Sequence, residues 1–148
     1  MIKFSNSVVV QRPIDEVFAY LVNSEHDAEW EQGVVEVRKT SEGPWGLGTT
    51  YVYVSQFMGR RIEEPGKITE CQPNQRFSFT SGSGAVKVDG TFTFEPTNGG
   101  TKVTYAGEAE LGGLFKIAGP VLAGQIKRQT DTDLATLKTV LEAKEGMP

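Results

Sequence analysis

The side chains that could do chemistry are few and scattered. Arg61, Glu63 and Glu64 stand together beside Pro65-Gly66. A charged group turned into a cavity there would anchor a carboxylate or serve as a general acid or base. The alternative is a solvated edge strand carrying protective charges. Neighbours on a regular strand point to opposite faces, so Glu63 and Glu64 cannot both turn inward as a carboxylate pair. His26 is the only histidine and Cys71 the only cysteine. No His/Cys metal cluster can therefore be assembled, no internal disulfide can form, and any nucleophile–histidine set would have to use His26 itself. His26, in the run EHDAE, is either a proton-transfer group or simply solvated. Cys71 reads as a small buried hydrophobe or simply a strand residue. No metal and no cofactor is expected.

The aromatic residues form a larger set: Trp30, Tyr51, Tyr53, Phe57, Phe77, Phe79, Phe92, Phe94 and Tyr105. They either line a ligand cavity, with tyrosine hydroxyls orienting a polar group of an apolar ligand, or make an ordinary core. A buried tyrosine hydroxyl needs a partner, and a ligand or water can be that partner. The candidate cavity residues are Trp30, Tyr51, Tyr53, Phe57, Phe77, Phe79, Phe92 and Tyr105, joined by Val121, Gln125 and Gln129 from the C-terminal segment.

That segment, about residues 113–144, is the element that must hold the rest. Leu114, Ile117, Val121, Leu122 and Ile126, then Leu134, Leu137, Val140 and Leu141, fall in steps of three, four and seven, the stripe of an amphipathic helix. Gly119-Pro120 predicts a break or kink inside it. Gln125, Gln129 and Asp133 continue the stripe between Ile126 and Leu134. They either face the sheet or, if the helix bends, stay in water.

Most of the chain from Val34 to Glu110 reads as strand. Tyr51, Tyr53 and Ser55 alternate with Val52 and Val54; Val86, Val88, Phe92 and Phe94 alternate with Lys87, Asp89, Thr91 and Thr93. Such alternation marks antiparallel sheet with one face buried. Pro65-Gly66 predicts a bulge or break, SGSG after Thr80 a turn, and Asn98-Gly99 a hairpin. Before these come a first strand over Ile2–Gln11, a short helix in RPIDEVFAYLVN, and a second in SEHDAEWEQ capped by Ser24 and stopped by Gly33. Helices segregated from strands give the α+β class.

The 148 residues fit one domain, residues 1–148. A net charge of −4 with acids and bases interspersed argues against nucleic acid. No apolar run is long enough for an integral membrane segment. The opening residues lack signal-peptide character, and a single cysteine suits a reducing compartment, so a cytoplasmic location is expected.

The ordered set RPIDEVFAYLVN, AEWEQGVVEV, the Gly46-Leu47-Gly48 turn and TDLATLKTVLEA resembles the START-like (SRPBCC) superfamily, in particular its polyketide cyclase/dehydrase-like members. The resemblance covers nearly the whole chain. It implies a helix-grip fold, a seven-stranded curved antiparallel sheet around a long C-terminal helix, enclosing a cavity. Members bind lipids, sterols, polyketides or other apolar molecules, some cyclise polyketides, and one branch binds a chaperone. No catalytic residue carries over, since the superfamily shares no catalytic motif. The leading expectation is binding or transport of a small apolar ligand, by a monomer or homodimer. The alternative is a cyclase/dehydratase-like enzyme, which would need an inward, desolvated cluster of ionisable groups from among Arg61, Glu63, Glu64, Asp133 and His26. A protein-interaction module would instead need a filled core and a large exposed apolar patch. Gly124→Phe is expected to fill the cavity.

Overall fold

The computed structural model describes residues 2–57, 59–83, 86–113 and 119–144. Leu114 and Ile117 lie outside the described residues, as does the Phe57 side chain. The chain runs β1 (Ile2–Val10), α1 (Ile14–Val22), a 3₁₀ turn (Ser24–His26), α2 (Asp27–Trp30), β2 (Val34–Lys39), β3 (Thr50–Phe57), β4 (Arg60–Gln72), β5 (Arg76–Ser83), β6 (Val86–Thr97), β7 (Gly100–Leu111) and α3 (Gly119–Ala143). The strands form one seven-stranded antiparallel sheet in the order β1-β7-β6-β5-β4-β3-β2. It is a meander from β2 to β7, with β1 returning to pair with β7. This is the α+β helix-grip architecture.

Sequence chemistry accounts for the joints. β6 and β7 close a two-residue turn at Asn98-Gly99, where Gly99 has φ of 74°. A positive φ suits glycine there. Pro65-Gly66 does not break β4: Val52 pairs with Pro65 and Tyr51 with Gly66 in unbroken register, and the irregularity falls between Ile68 and Glu70. Gly66 is needed for a different reason, because a Cβ there would lie 2.3 Å from Cε2 of Tyr51. The expected SGSG turn is partly strand, since Ser81 pairs with Val88 and Ser83 with Val86; Gly84 lies outside the described residues.

The helices also depart from expectation in detail. Asn23, not Ser24, caps the second helical segment, its side-chain oxygen accepting from the Glu25 N–H at 3.1 Å. Ser24 is buried instead. Pro120 does not kink α3. It sits in the first turn, where its missing N–H has no helical partner to lose. From there α3 buries Leu134, Leu137 and Leu141, all essentially inaccessible, in one core cluster with Val17 and Leu21 of α1 and with Val10, Ile68, Phe77 and Val103 of the sheet. Burying this many large aliphatic side chains is the main source of stability, at roughly 1.5–3 kcal/mol each.

Candidate functional site: an acidic, aromatic cavity

The inner face of the sheet is built from alternate residues of each strand, and register decides which. Tyr51 and Tyr53 pair across β3–β4 with Gly66 and Glu64, Phe77 pairs with Phe92, and Phe92 with Tyr105. The rings stack: Phe92 on Tyr105 at 4.2 Å and Phe77 on Phe92 at 5.0 Å, with Phe4 edge-on to Tyr105 at 5.1 Å. Gly90 lies beneath the Phe79 and Tyr105 rings, where a Cβ would fall within 3 Å of both.

Between this face and the helices lie three compartments. The innermost, about 200 Å³, is lined by Tyr51, Tyr53, Phe77, Phe79, Phe92 and Tyr105 together with Asp27 and Glu31. A second, about 300 Å³, is walled by Ile62, Val86, Leu111, Leu122 and Ile126, with Glu64 on it. A third, about 250 Å³, reaches Glu31, Gln129, Thr130 and Asp133. Tyr53 and Val88 line all three, so they adjoin around one tyrosine.

The polar end is held by α2 and α3. One helical turn carries Asp27 and Glu31, closed by the Glu31 N–H donating to the Asp27 carbonyl at 2.8 Å. Gly33, with φ of 88°, reverses the chain into β2, and its carbonyl accepts from the Gln56 N–H at 2.8 Å. Spacing of four puts both carboxylates on one side, facing the cavity. The Tyr53 hydroxyl donates to Oε2 of Glu31 at 2.6 Å. Asp133, on α3, accepts from the Gln32 backbone N–H at 3.1 Å and from the Gln129 amide at 2.8 Å. That amide also reaches the Gln32 side-chain oxygen at 3.1 Å.

Loss of water dominates the electrostatics. It pushes Glu31 up to about 7, with the Asp133 charge adding and the hydrogen bonds from Tyr53 and Asp27 opposing. Asp27 is held well above the ordinary carboxylate range by burial, then by the Glu31 charge and their shared hydrogen bond. Asp133 is raised by burial, less so because Gln32 and Gln129 hydrogen-bond it. The hydroxyls of Tyr51, Tyr53 and Tyr105 are all raised, first by burial and then by the carboxylates. The Trp30 indole N–H, buried with the rest of that ring, lies near Asp27 and works against the rise of that carboxyl.

The sequence candidates divide accordingly. Tyr51, Tyr53, Phe77, Phe79, Phe92 and Tyr105 line the innermost compartment, and Gln129 lines the third. Trp30 is in the core, edge-on to Phe92 at 6.1 Å, and lines none of the three. Val121, 64 % exposed, and Gln125 turn to solvent. The reason is helical phase: the inward residues run through Leu122, Ile126, Thr130 and Asp133, which carries Val121 and Gln125 to the outside. Gly124 does not face the cavity either, since a Cβ there would meet only the Arg128 guanidinium.

Arg61 and Glu63 belong to an outer-face ion network, Glu63 with Arg38 at 2.8 Å and Arg61 with Glu36 at 3.5 Å. Such half-exposed pairs are each worth at most about 1 kcal/mol. Glu64, one residue on, faces inward. His26 stacks on Tyr20 at 4.3 Å and its Nδ1 bonds the Tyr20 carbonyl, outside the cavity lining. Asp27 and Glu31 are absent from the sequence candidates. The available signal was two like charges four apart around a tryptophan, a pairing that an exposed helix disfavours. Among the described residues, no group of three or more His, Cys, Asp or Glu side chains could hold a metal ion, and no helix is long and apolar enough to cross a membrane.

The family model described as polyketide cyclase / dehydrase and lipid transport matches residues 1–142. The chain belongs to this family. Solved structures share the fold of this polyketide cyclase / dehydrase family member. TTHA0849 from Thermus thermophilus superposes with a TM-score of 0.78 at 19 % identity, over 97 % of this chain and 99 % of that one. The di-domain ARO/CYC StfQ from the steffimycin biosynthetic pathway gives 0.76 at 15 % identity, over 99 % of this chain and 52 % of StfQ. Ara h 8.0201 gives 0.69 at 14 % identity, over 96 % and 98 %. No curated protein matches in sequence. Family and fold are consistent with hydrophobic-ligand binding and with cyclase-like activity alike.

Proposed function

We propose that this member of the family binds a small, largely apolar molecule between the sheet and α3. The observation that carries this reading is the set of three adjoining compartments around Tyr53, walled by stacked aromatic rings on one side and by Leu122 and Ile126 on the other. Concave, mostly apolar spaces with a few converging polar groups are the usual form of a ligand site. The test is native mass spectrometry of the purified protein, followed by denaturing extraction. A one-to-one adduct of an apolar molecule supports the reading. A bare mass, with no thermal shift from neutral aromatic compounds, counts against it.

A second reading, a cyclase/dehydratase-like enzyme, is favoured by one specific feature. Glu31 titrates near neutral pH and is hydrogen-bonded to Tyr53, so one residue can take a proton from a bound ketone's α-carbon while a phenol stands beside it as donor. Incubation of a β-diketone with the protein in D₂O tests it. Accelerated α-proton exchange that Glu31→Gln abolishes supports the enzyme; exchange no faster than in buffer refutes it.

A further inference from the structure

The charge of the cavity narrows the ligand, and the inference drawn from it rests on the binding reading above. Asp27, Glu31, Glu64 and Asp133 line the three compartments, and among the described lining residues there is no lysine, arginine or histidine. Three of the protein's donors at the polar end are directed at acids: Tyr53 at Glu31, Gln129 and the Gln32 N–H at Asp133. What the cavity presents to an incoming molecule is acceptor lone pairs, aromatic faces and the hydroxyls of Ser24, Tyr51 and Tyr105.

A further observation points the same way. Among the described residues, no three acids converge closely enough for a metal ion. A charge carried on an organic framework, with donors on a group larger than a bare ion, suits carboxylates spread along one wall.

We infer that the cavity takes an amphipathic organic cation: an aromatic or hydrocarbon body against Phe77, Phe92 and Tyr105, and a primary or secondary ammonium among Asp27, Glu31 and Asp133. Ammonium–carboxylate hydrogen bonds are charge-assisted, and ring faces attract cations. The same wall disfavours fatty acids and other carboxylates, because like charges in a desolvated space repel. The ammonium replaces the proton that the Asp27–Glu31 pair otherwise shares, so binding releases a proton and strengthens as pH rises past the range where Glu31 titrates. The groups facing that pair are Tyr51 and Tyr53 from β3, Tyr105 from β7 and Asp133 from α3.

The test is an NMR titration of the full chain at pH 7.5 with three probes of one size: 2-phenylethylamine, 2-phenylethanol and 3-phenylpropionate. The expected order is amine, then alcohol, then acid, with the amine about tenfold or more tighter than the alcohol. Glu31→Gln and, independently, Asp27→Asn should lower the ratio of amine to alcohol affinity; an undiminished ratio in both overturns the cation inference. Binding of the alcohol at the same resonances with no preference for the amine overturns the cation inference but leaves the pocket reading standing. Failure of all three probes to perturb any cavity resonance overturns both.

Discussion

Replacing Glu31 by Gln should make the protein more stable at alkaline pH and leave it unchanged at acid pH. The folded chain holds the Glu31 carboxyl at about 7, against 4.5 for an unperturbed glutamate. A carboxyl raised on folding keeps its proton longer in the folded state, so its contribution to stability is fully present below 4.5 and is lost as pH rises to about 7. At about 1.4 kcal/mol per pH unit, the loss approaches 3 kcal/mol. Glutamine keeps the shape and an oxygen to accept from Tyr53, but carries no charge to desolvate. In urea unfolding, parent and variant should coincide at pH 4.5 and separate through pH 5–7. At pH 8 the variant should lead by about 2–3 kcal/mol, which for a domain of this size is about 5–10 °C in melting temperature. Glu142, whose carboxyl is lowered chiefly by its hydrogen bond from Lys138, acts with the opposite sign below the ordinary glutamate range. It is common to both proteins and cancels in the difference. A constant gap across pH 4.5–8, or a parent that gains stability relative to the variant as pH rises, would refute the reasoning.

Other substitutions probe the same wall and the core behind it. Tyr53→Phe removes the hydroxyl that donates to Glu31 at 2.6 Å and pulls its pKa down; the Glu31 side-chain carbon followed by NMR should titrate at higher pH than in the parent. Gly66→Ala puts a Cβ 2.3 Å from the Tyr51 ring, so the ring or β4 must shift, and thermal unfolding should show a loss of about 1–3 kcal/mol. Leu137→Ala empties a fully buried site under α3 and should lower the urea midpoint by an amount worth about 2–5 kcal/mol.

How much of this is legible in the sequence depends on the period of each element. Strand alternation places Tyr51, Tyr53, Phe77, Phe92 and Tyr105 on one face, because a period of two leaves only two choices. Alternation also says that Glu63 and Glu64 must part, but not which turns inward; pairing of Tyr53 with Glu64 decides that. The C-terminal helix is evident from Leu134, Leu137 and Leu141. Its start is not, and the start sets the phase of the first turns, so the sequence stripe puts Val121 and Gln125 inward when they face water. Asp27 and Glu31 are out of reach for another reason. A single helical turn is too short to show periodicity, and two acids in a charged run read as solvated until the sheet closes over them.

The central claim is a ligand cavity between the sheet and α3, and its most direct test is titration of a neutral fluorescent probe, N-phenyl-1-naphthylamine, into the parent and Ile126→Trp. Ile126 lines two of the three compartments, so a tryptophan there fills space without touching the buried leucines further along α3. The parent should bind one probe per chain with a blue-shifted emission. The variant, still folded by circular dichroism, should bind at least about tenfold more weakly, as expected when an apolar pocket is filled. Equal affinity in the two proteins would contradict the account.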